Sequence, residues 1–211
     1  MTRLVLWRHG QTDFNRQARI QGWSDIELNA DGRAQAEAAA PAVAALGPTR
    51  IISSDLSRAR DTAEVLGRLT GVEVEVDERL RERCFGKLEG LTREEIAEQF
   101  PKEHSHWRTG RAEGRVARLG IEGRLAAGSR LAQVVDDWDK GPDDVLVLVA
   151  HGGIITAALT ILLGINPDEF HPFGGLGNCH WAILAPQGDR APSWRLLEYN
   201  SGVDPVFFPT A

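Results

Sequence analysis

The chain has 211 residues, 42% of them hydrophobic, with a net charge of −6 and an isoelectric point near 5.5. That size suits a single domain over residues 1–211, with enough apolar material for a sizeable core. The acidic balance argues against general binding to nucleic acid or anionic membranes, and no apolar run has the length of a bilayer span.

The first element is "RLVLW", Arg3–Trp7, a short continuous apolar run of the kind a strand buried on both faces requires. It runs directly into Arg8, His9 and Gly10. Because a strand opens so early, no secretory signal is expected. "NADGRAQAEAAAPAVAALG" predicts an alanine-rich helix, with a kink or break at Pro41. "RIISS" is a second strand, and "DLSRARDTAEVLGRLTG" a helix closed by Gly71. "VEVEV" alternates with period two and predicts a half-buried strand near a sheet edge.

A long middle segment follows, with helical stretches at Thr92–Phe100 and around Leu125–Asp139; residues 83–141 are expected to form a lid-like insertion. "DDVLVLVA" is the most apolar strand, and "HGGIITAALTILLG" a helix behind it. "NCHWAILA" and "SWRLLEYN" predict two closing strands. Strand–helix alternation of this kind gives an α/β fold, a mostly parallel sheet with helices on both faces. Cys84 and Cys179, in unrelated settings, suit a reduced, cytoplasmic protein better than a disulfide.

In open parallel sheets, ligands bind beyond the carboxyl ends of the strands. Four predicted strands lead there into ionisable residues: Arg8 and His9, then Arg58, then Glu82, then His151 before Gly152 and Gly153. Each has an ordinary explanation by itself. His9 caps a strand, Arg58 sits in water beside Asp55 or Asp61, and Glu82 pairs within "DERLRER". Four such placements at one sheet edge point instead to a site. Two guanidiniums match phosphoryl oxygens, a neutral imidazole can attack phosphorus, and a carboxylate can protonate a leaving alcohol. The amides opening the helix at Gly152 and Gly153 favour an anion. A metallohydrolase could draw on His9, His151 and Glu82, yet adjacent arginines repel a cation and no His-Glu-x-x-His segment occurs. No G-x-S-x-G elbow is present for serine chemistry, and "HSH" at His104–His106 reads as an exposed loop.

"RHGQTDFN", "SSDLSRARDTA", "LRERCFGKLEGLT" and "VAHGG", in this order, resemble the motifs of the histidine phosphatase superfamily, the phosphoglycerate-mutase-like group. The resemblance implies a three-layer α/β/α sandwich and a metal-independent enzyme without organic cofactor. It implies that His9 forms a phosphohistidine, that Arg8, Arg58 and His151 bind the phosphoryl group, and that Glu82 serves as acid and then base. Asn15, Gln21, Gly22 and Gly152 match further substrate-contacting positions, and Gly10 would let the chain pass close to the phosphate.

The family holds both hydrolases and mutases. Mutases resemble one another in an H-G-N-S segment, whereas this chain has His151-Gly152-Gly153-Ile154, as in the phosphatase branch. The expected activity is hydrolysis of a small phosphorylated metabolite. The alternatives are a cofactor-dependent phosphoglycerate mutase and a non-catalytic phospho-ligand binder. The G-G-E-S segment that such phosphatases often carry is replaced by "GIEG", Gly120–Gly123. "RIQGWSDIEL" and "FGGLGNCHWAIL" resemble the phosphatases of glucosyl-3-phosphoglycerate. That likeness implies a basic segment between Lys102 and Arg130 receiving a carboxylate, with Trp23 or Trp107 against a sugar ring. The apolar tail "VDPVFFPTA", with Phe207 and Phe208, is compatible with a homodimer.

Overall fold

The computed structural model describes residues 1–103, 117–138 and 141–203. His104, His106, Trp107, the arginines at 108, 111 and 115, Asp139 and the tail from 204 onward lie outside the described residues.

The strands are β1 (Arg3–Arg8), β2 (Arg50–Ser53), β3 (Val74–Val76), β4 (Val145–Ala150), β5 (Trp181–Pro186) and β6 (Trp194–Ser201). Among the described residues the α-helices are α1 (Asp13–Arg16), α2 (Ala30–Ala44), α3 (Ser57–Thr70), α4 (Arg93–Gln99), α5 (Arg124–Asp136) and α6 (Gly152–Leu162). The strands form one six-stranded sheet in the order β3-β2-β4-β1-β5-β6. The first four in that order run parallel; β5 pairs antiparallel with β1 and β6 antiparallel with β5, so the sheet is mixed at one side. "VEVEV" forms the edge strand expected of it.

Period-two alternation sends neighbouring residues of β1 and β4 to opposite faces. Leu4, Leu6, Leu146 and Leu148 pack with Leu131 and Val135 of α5 and with Ile155 and Leu159 of α6. Val5, Trp7, Val147 and Val149 pack with Ala36, Ala40 and Val43 of α2 and with Ala63 and Leu66 of α3. Both faces of the central strands are therefore covered, which is why they are apolar without interruption. A smaller cluster of Leu88, Ile96 and Leu119, with Ile20 and Phe85 against it, gives the 83–141 segment its own apolar anchor.

One local expectation changes and one position gains a further reason. Helix α2 runs unbroken through Pro41. The ring lies on the exposed side, so the carbonyl it leaves unpaired can face water, and Pro41 itself still accepts from Ala45 N at 3.0 Å. Gly10 has a packing reason to be small as well. A Cβ there would lie 2.4 Å from the Gly32 carbonyl oxygen, so the glycine lets the loop after β1 press against the start of α2.

The register of β1 beside β4 positions the site. Helix α2, reached from β1 through α1, lies on one face, and α6, directly after β4, on the other. The chain thus splays apart beyond Arg8 and Ala150 and leaves a crevice at the carboxyl ends of adjacent strands.

Candidate active site

A cavity of about 500 Å³ occupies this crevice. Eight of the nine residues singled out from sequence line it: Arg8, His9, Asn15, Gln21, Gly22, Arg58, Glu82 and Gly152. His151 is fully buried behind them, its ring centroid 5.0 Å from that of His9.

His9 is 2% exposed. Its backbone is pinned where β1 ends, donating to Ala150 O at 3.1 Å and accepting from Cys179 N at 3.2 Å. The ring Nδ1 lies 2.6 Å from Gly10 O, which can only accept, so Nδ1 carries the proton and Nε2 keeps its lone pair. Burial, and then the Arg58 and Arg8 guanidiniums, hold the imidazole well below the usual histidine range. A neutral, oriented imidazole follows.

Arg8 is anchored by one nitrogen to the Leu176 carbonyl, while its Nε is buried without a partner among the described residues. Such a donor is costly unless a ligand meets it. Arg58, on the first turn of α3, is fully buried. Its terminal nitrogens donate to Ser24 O and Gly22 O, each at 2.8 Å, and its Nε donates to His151 Nδ1 at 3.2 Å. Burial lowers the guanidinium to about 10. Of the acidic neighbours, Asp55 pairs with Arg81 instead. His151, accepting at Nδ1, donates from Nε2 to Ser54 Oγ at 3.0 Å, and burial with nearby Arg58 keeps it neutral.

The carboxylate of Glu82 accepts from Gly153 N at 2.9 Å, Ile154 N at 2.8 Å and Arg83 N at 2.7 Å. The anion at the start of α6 is thus a side chain of the chain itself, and the exposed ion-paired loop is not what forms. Arg79 and Arg81 pair with Asp77, Asp137 and Asp55, leaving Glu82 to the helix. Gly153 is required here, because a Cβ would stand 2.7 Å from Glu82 Oε1.

Asn15 closes a capping box with Thr12 and also accepts from Asn178 Nδ2 at 3.2 Å. Gln21 Oε1 accepts from Thr12 Oγ1 at 2.9 Å. Both oxygens being engaged, each amide presents its NH₂ end to the cavity.

Several contributors had no sequence signal of their own. Glu89, within the quoted "GKLEG", accepts from Trp23 N, Ser24 N, Ser24 Oγ and Phe85 N at 3.0–3.1 Å, tying the loop that anchors Arg58 to the loop that carries Glu82. Asp25 accepts from Ser57 N and Oγ at 2.8 and 2.7 Å and so caps α3 from outside the helix. Arg130 pairs with Glu122 and donates to Arg79 O at 2.6 Å, holding the turn before Glu82. Trp23 does not line the cavity; its Nε1 donates to Glu82 O at 2.6 Å and Arg81 covers its ring. Among the described residues no group of three or more His, Cys, Asp or Glu side chains is placed to hold a metal ion. Among them, too, no helix is long and apolar enough to cross a membrane.

An α/β sheet whose strand tips gather neutral imidazoles, buried guanidiniums and a carboxylate defines an enzyme of phosphoryl transfer. Residues 4–201 match the model of the histidine phosphatase superfamily, branch 1. The chain is 40% identical to the glucosyl-3-phosphoglycerate phosphatase of Mycolicibacterium vanbaalenii, over 94% of both chains. The solved structure of a mycobacterial glucosyl-3-phosphoglycerate phosphatase with VO3 superposes with a TM-score of 0.82 at 40% identity, covering 95% of this chain and 99% of that one. A probable phosphoglycerate mutase of Serratia proteamaculans is 32% identical over 78% of this chain and 76% of its own. The chain belongs to the histidine phosphatase superfamily, and it is an enzyme of the phosphomonoester-hydrolase type.

Proposed function

We propose that the enzyme hydrolyses glucosyl-3-phosphoglycerate through a phosphohistidine at His9. The observation that carries the chemistry is the buried His9 ring, its Nδ1 committed to Gly10 O and its Nε2 lone pair available. In the first step Nε2 attacks phosphorus, the ester P–O bond breaks, and protonated Glu82 gives its proton to the departing alkoxide. In the second, Glu82 takes a proton from water, the water oxygen attacks phosphorus, and the P–N electron pair returns to the imidazole. Arg8, Arg58, Asn15, Gln21, Gly22 and Gly152 hold the phosphoryl oxygens, with His151 fixing Arg58 from behind. Charge spread over the equatorial oxygens in such a transfer is what preset cationic donors stabilise.

The substrate assignment rests on the likeness to the mycobacterial phosphatases together with the charge of the outer cavity. Arg19, Arg83, Arg93 and Arg124 all line it, although the chain as a whole is acidic. Arg83 is nearly buried, and burial brings it down to about 10. A buried guanidinium away from the nucleophile suits a second anionic group, the carboxylate of a phosphoglycerate. Residues 83–141, which supply Arg83, Phe85, Arg93 and Arg124 to the cavity, would act as the cover. A cytoplasmic setting is supported by the cysteine usage, only Cys84 and Cys179 in unrelated stretches of the sequence.

Phosphate release in EDTA tests the proposal. Wild type should hydrolyse glucosyl-3-phosphoglycerate with a higher kcat/KM than p-nitrophenyl phosphate, and His9→Ala should release none. Conversion of 3- to 2-phosphoglycerate dependent on 2,3-bisphosphoglycerate would establish the mutase reading instead.

A further inference from the structure

A second cavity, of about 180 Å³, adjoins the first and shares Arg124, Thr156 and Phe173 with it. Helix α6 forms the common wall. Its first turn faces the phosphoryl site, Thr156 one turn later faces both cavities, and Ala157 and Thr160 face only the second. The volume is that of about six waters, enough for one six-membered ring with its hydroxyls.

The lining chemistry is specific about charge. Thr156 Oγ1 donates to the Gly152 and Gly153 carbonyls at 3.0 Å, and Thr160 Oγ1 donates to Thr156 O at 2.8 Å. Their protons are spent inside the helix, so towards the cavity these oxygens only accept. An anion gains nothing from them, whereas a ligand hydroxyl can donate to both. Arg124 supplies the opposite polarity, a half-buried guanidinium at the junction of the two cavities. Phe173 and Ala157 add apolar surface, and His171 stands at the exposed rim. Acceptors, a donor fork and an aromatic wall together match a neutral polyhydroxylated ring.

We propose that this side cavity is the subsite for the glycosyl group of the substrate, separate from the outer arginines that take the carboxylate. The inference rests on the glucosyl-3-phosphoglycerate reading and adds where the sugar sits and which residues select it. Thr160, buried on α6, then acts as a specificity residue that touches neither phosphoryl group nor carboxylate.

The test compares two substrates that differ only in the sugar, glucosyl-3-phosphoglycerate and 3-phosphoglycerate, on one preparation of each variant. The ratio of their kcat/KM values cancels any loss of folded protein. Wild type should favour the glycosylated ester at least tenfold. Thr160→Val, which removes one acceptor at constant shape, should lower the ratio about three- to tenfold, and Thr160→Leu, which also fills the space, should abolish it. Arg83→Met should weaken both substrates together and leave the ratio intact. Unchanged ratios in both Thr160 variants, or a wild-type ratio near one, would overturn the subsite. Failure of wild type to hydrolyse the glycosylated ester while it hydrolyses 3-phosphoglycerate would overturn the substrate assignment instead.

Discussion

Glu89→Gln removes one charge and changes almost no volume, yet it should damage a site that Glu89 does not line. The glutamate receives hydrogen bonds at Oε1 from Trp23 N, Phe85 N and, at 3.8 Å, the Cys84 thiol, and two at Oε2, from Ser24 N and Oγ. A glutamine best keeps its oxygen on the first set and turns its NH₂ to Ser24. The Ser24 hydroxyl can reverse and accept, but the Ser24 amide then faces another donor. One charge-assisted bond is lost, while the Ser24 amide keeps its bond to Gln21 O at 3.0 Å, a cost of about 1–3 kcal/mol. For a chain of this size that is a fall in Tm of about 2–12 °C. Ser24 O and Gly22 O are the two carbonyls that aim Arg58, so the guanidinium should lose its alignment. A misplacement near 1 Å costs about a hundredfold in rate. We therefore expect kcat/KM to fall about 10- to 100-fold. Urea denaturation and p-nitrophenyl phosphate turnover measure both effects. In an Arg58→Lys background the same change should cost far less, because both act through one guanidinium. Wild-type stability and turnover in Glu89→Gln, or full additivity with Arg58→Lys, would refute the positioning role.

Three other outcomes follow from the same geometry. Gly153→Ala should push the Glu82 carboxylate off the start of α6 and reduce kcat about 10²- to 10⁴-fold. The loss should be greater for an alkyl phosphate than for p-nitrophenyl phosphate, whose leaving group needs no proton; equal losses would count against Glu82 as the acid. His9 and His151 are held well below 6.5 when folded, so below about pH 6.5 the unfolded chain binds protons that the folded chain does not. Stability should decline with falling pH by about 1.4 kcal/mol per unit for each histidine, and His151→Gln should remove one such contribution, as chemical denaturation from pH 7 to 5 would record. For the same reason kcat/KM, measured from pH 7.5 to 5.5, should hold its neutral-pH value down through pH 6 rather than halve at 6.5.

What could be read from the sequence was whatever lies close together along the chain. Uninterrupted apolar runs ending at Arg8 and Ala150 announced buried strands, and polar residues directly after them fell on the one edge where a crevice opens. Residues whose roles depend on distant partners were not legible. Glu89 works across 65 residues to reach Ser24, and Asp25 caps a helix 32 residues away. The backbone partners of Glu82 on α6 were not legible, because the surrounding arginines offered a surface loop as its ordinary setting, while their own acidic partners draw them elsewhere. Pro41 was expected to disturb its helix, but its exposed position lets the helix continue. Trp23 looked like a sugar platform and instead braces the Glu82 backbone. Phe173 and Thr160, which wall the side cavity, carried no pattern that distinguished them from core residues.

The central claim is covalent chemistry at His9, and rapid-quench labelling addresses it most directly. Glu82→Gln enzyme, mixed with a ³²P-labelled activated phosphate ester in EDTA and quenched at alkaline pH, should carry about one phosphoryl group per chain. The label should be stable to base, labile to acid, located at His9 by mass spectrometry, and missing from Glu82→Gln, His9→Ala. Turnover by wild type without any labelled protein at millisecond times, label at another residue, or label that requires added metal would contradict the account.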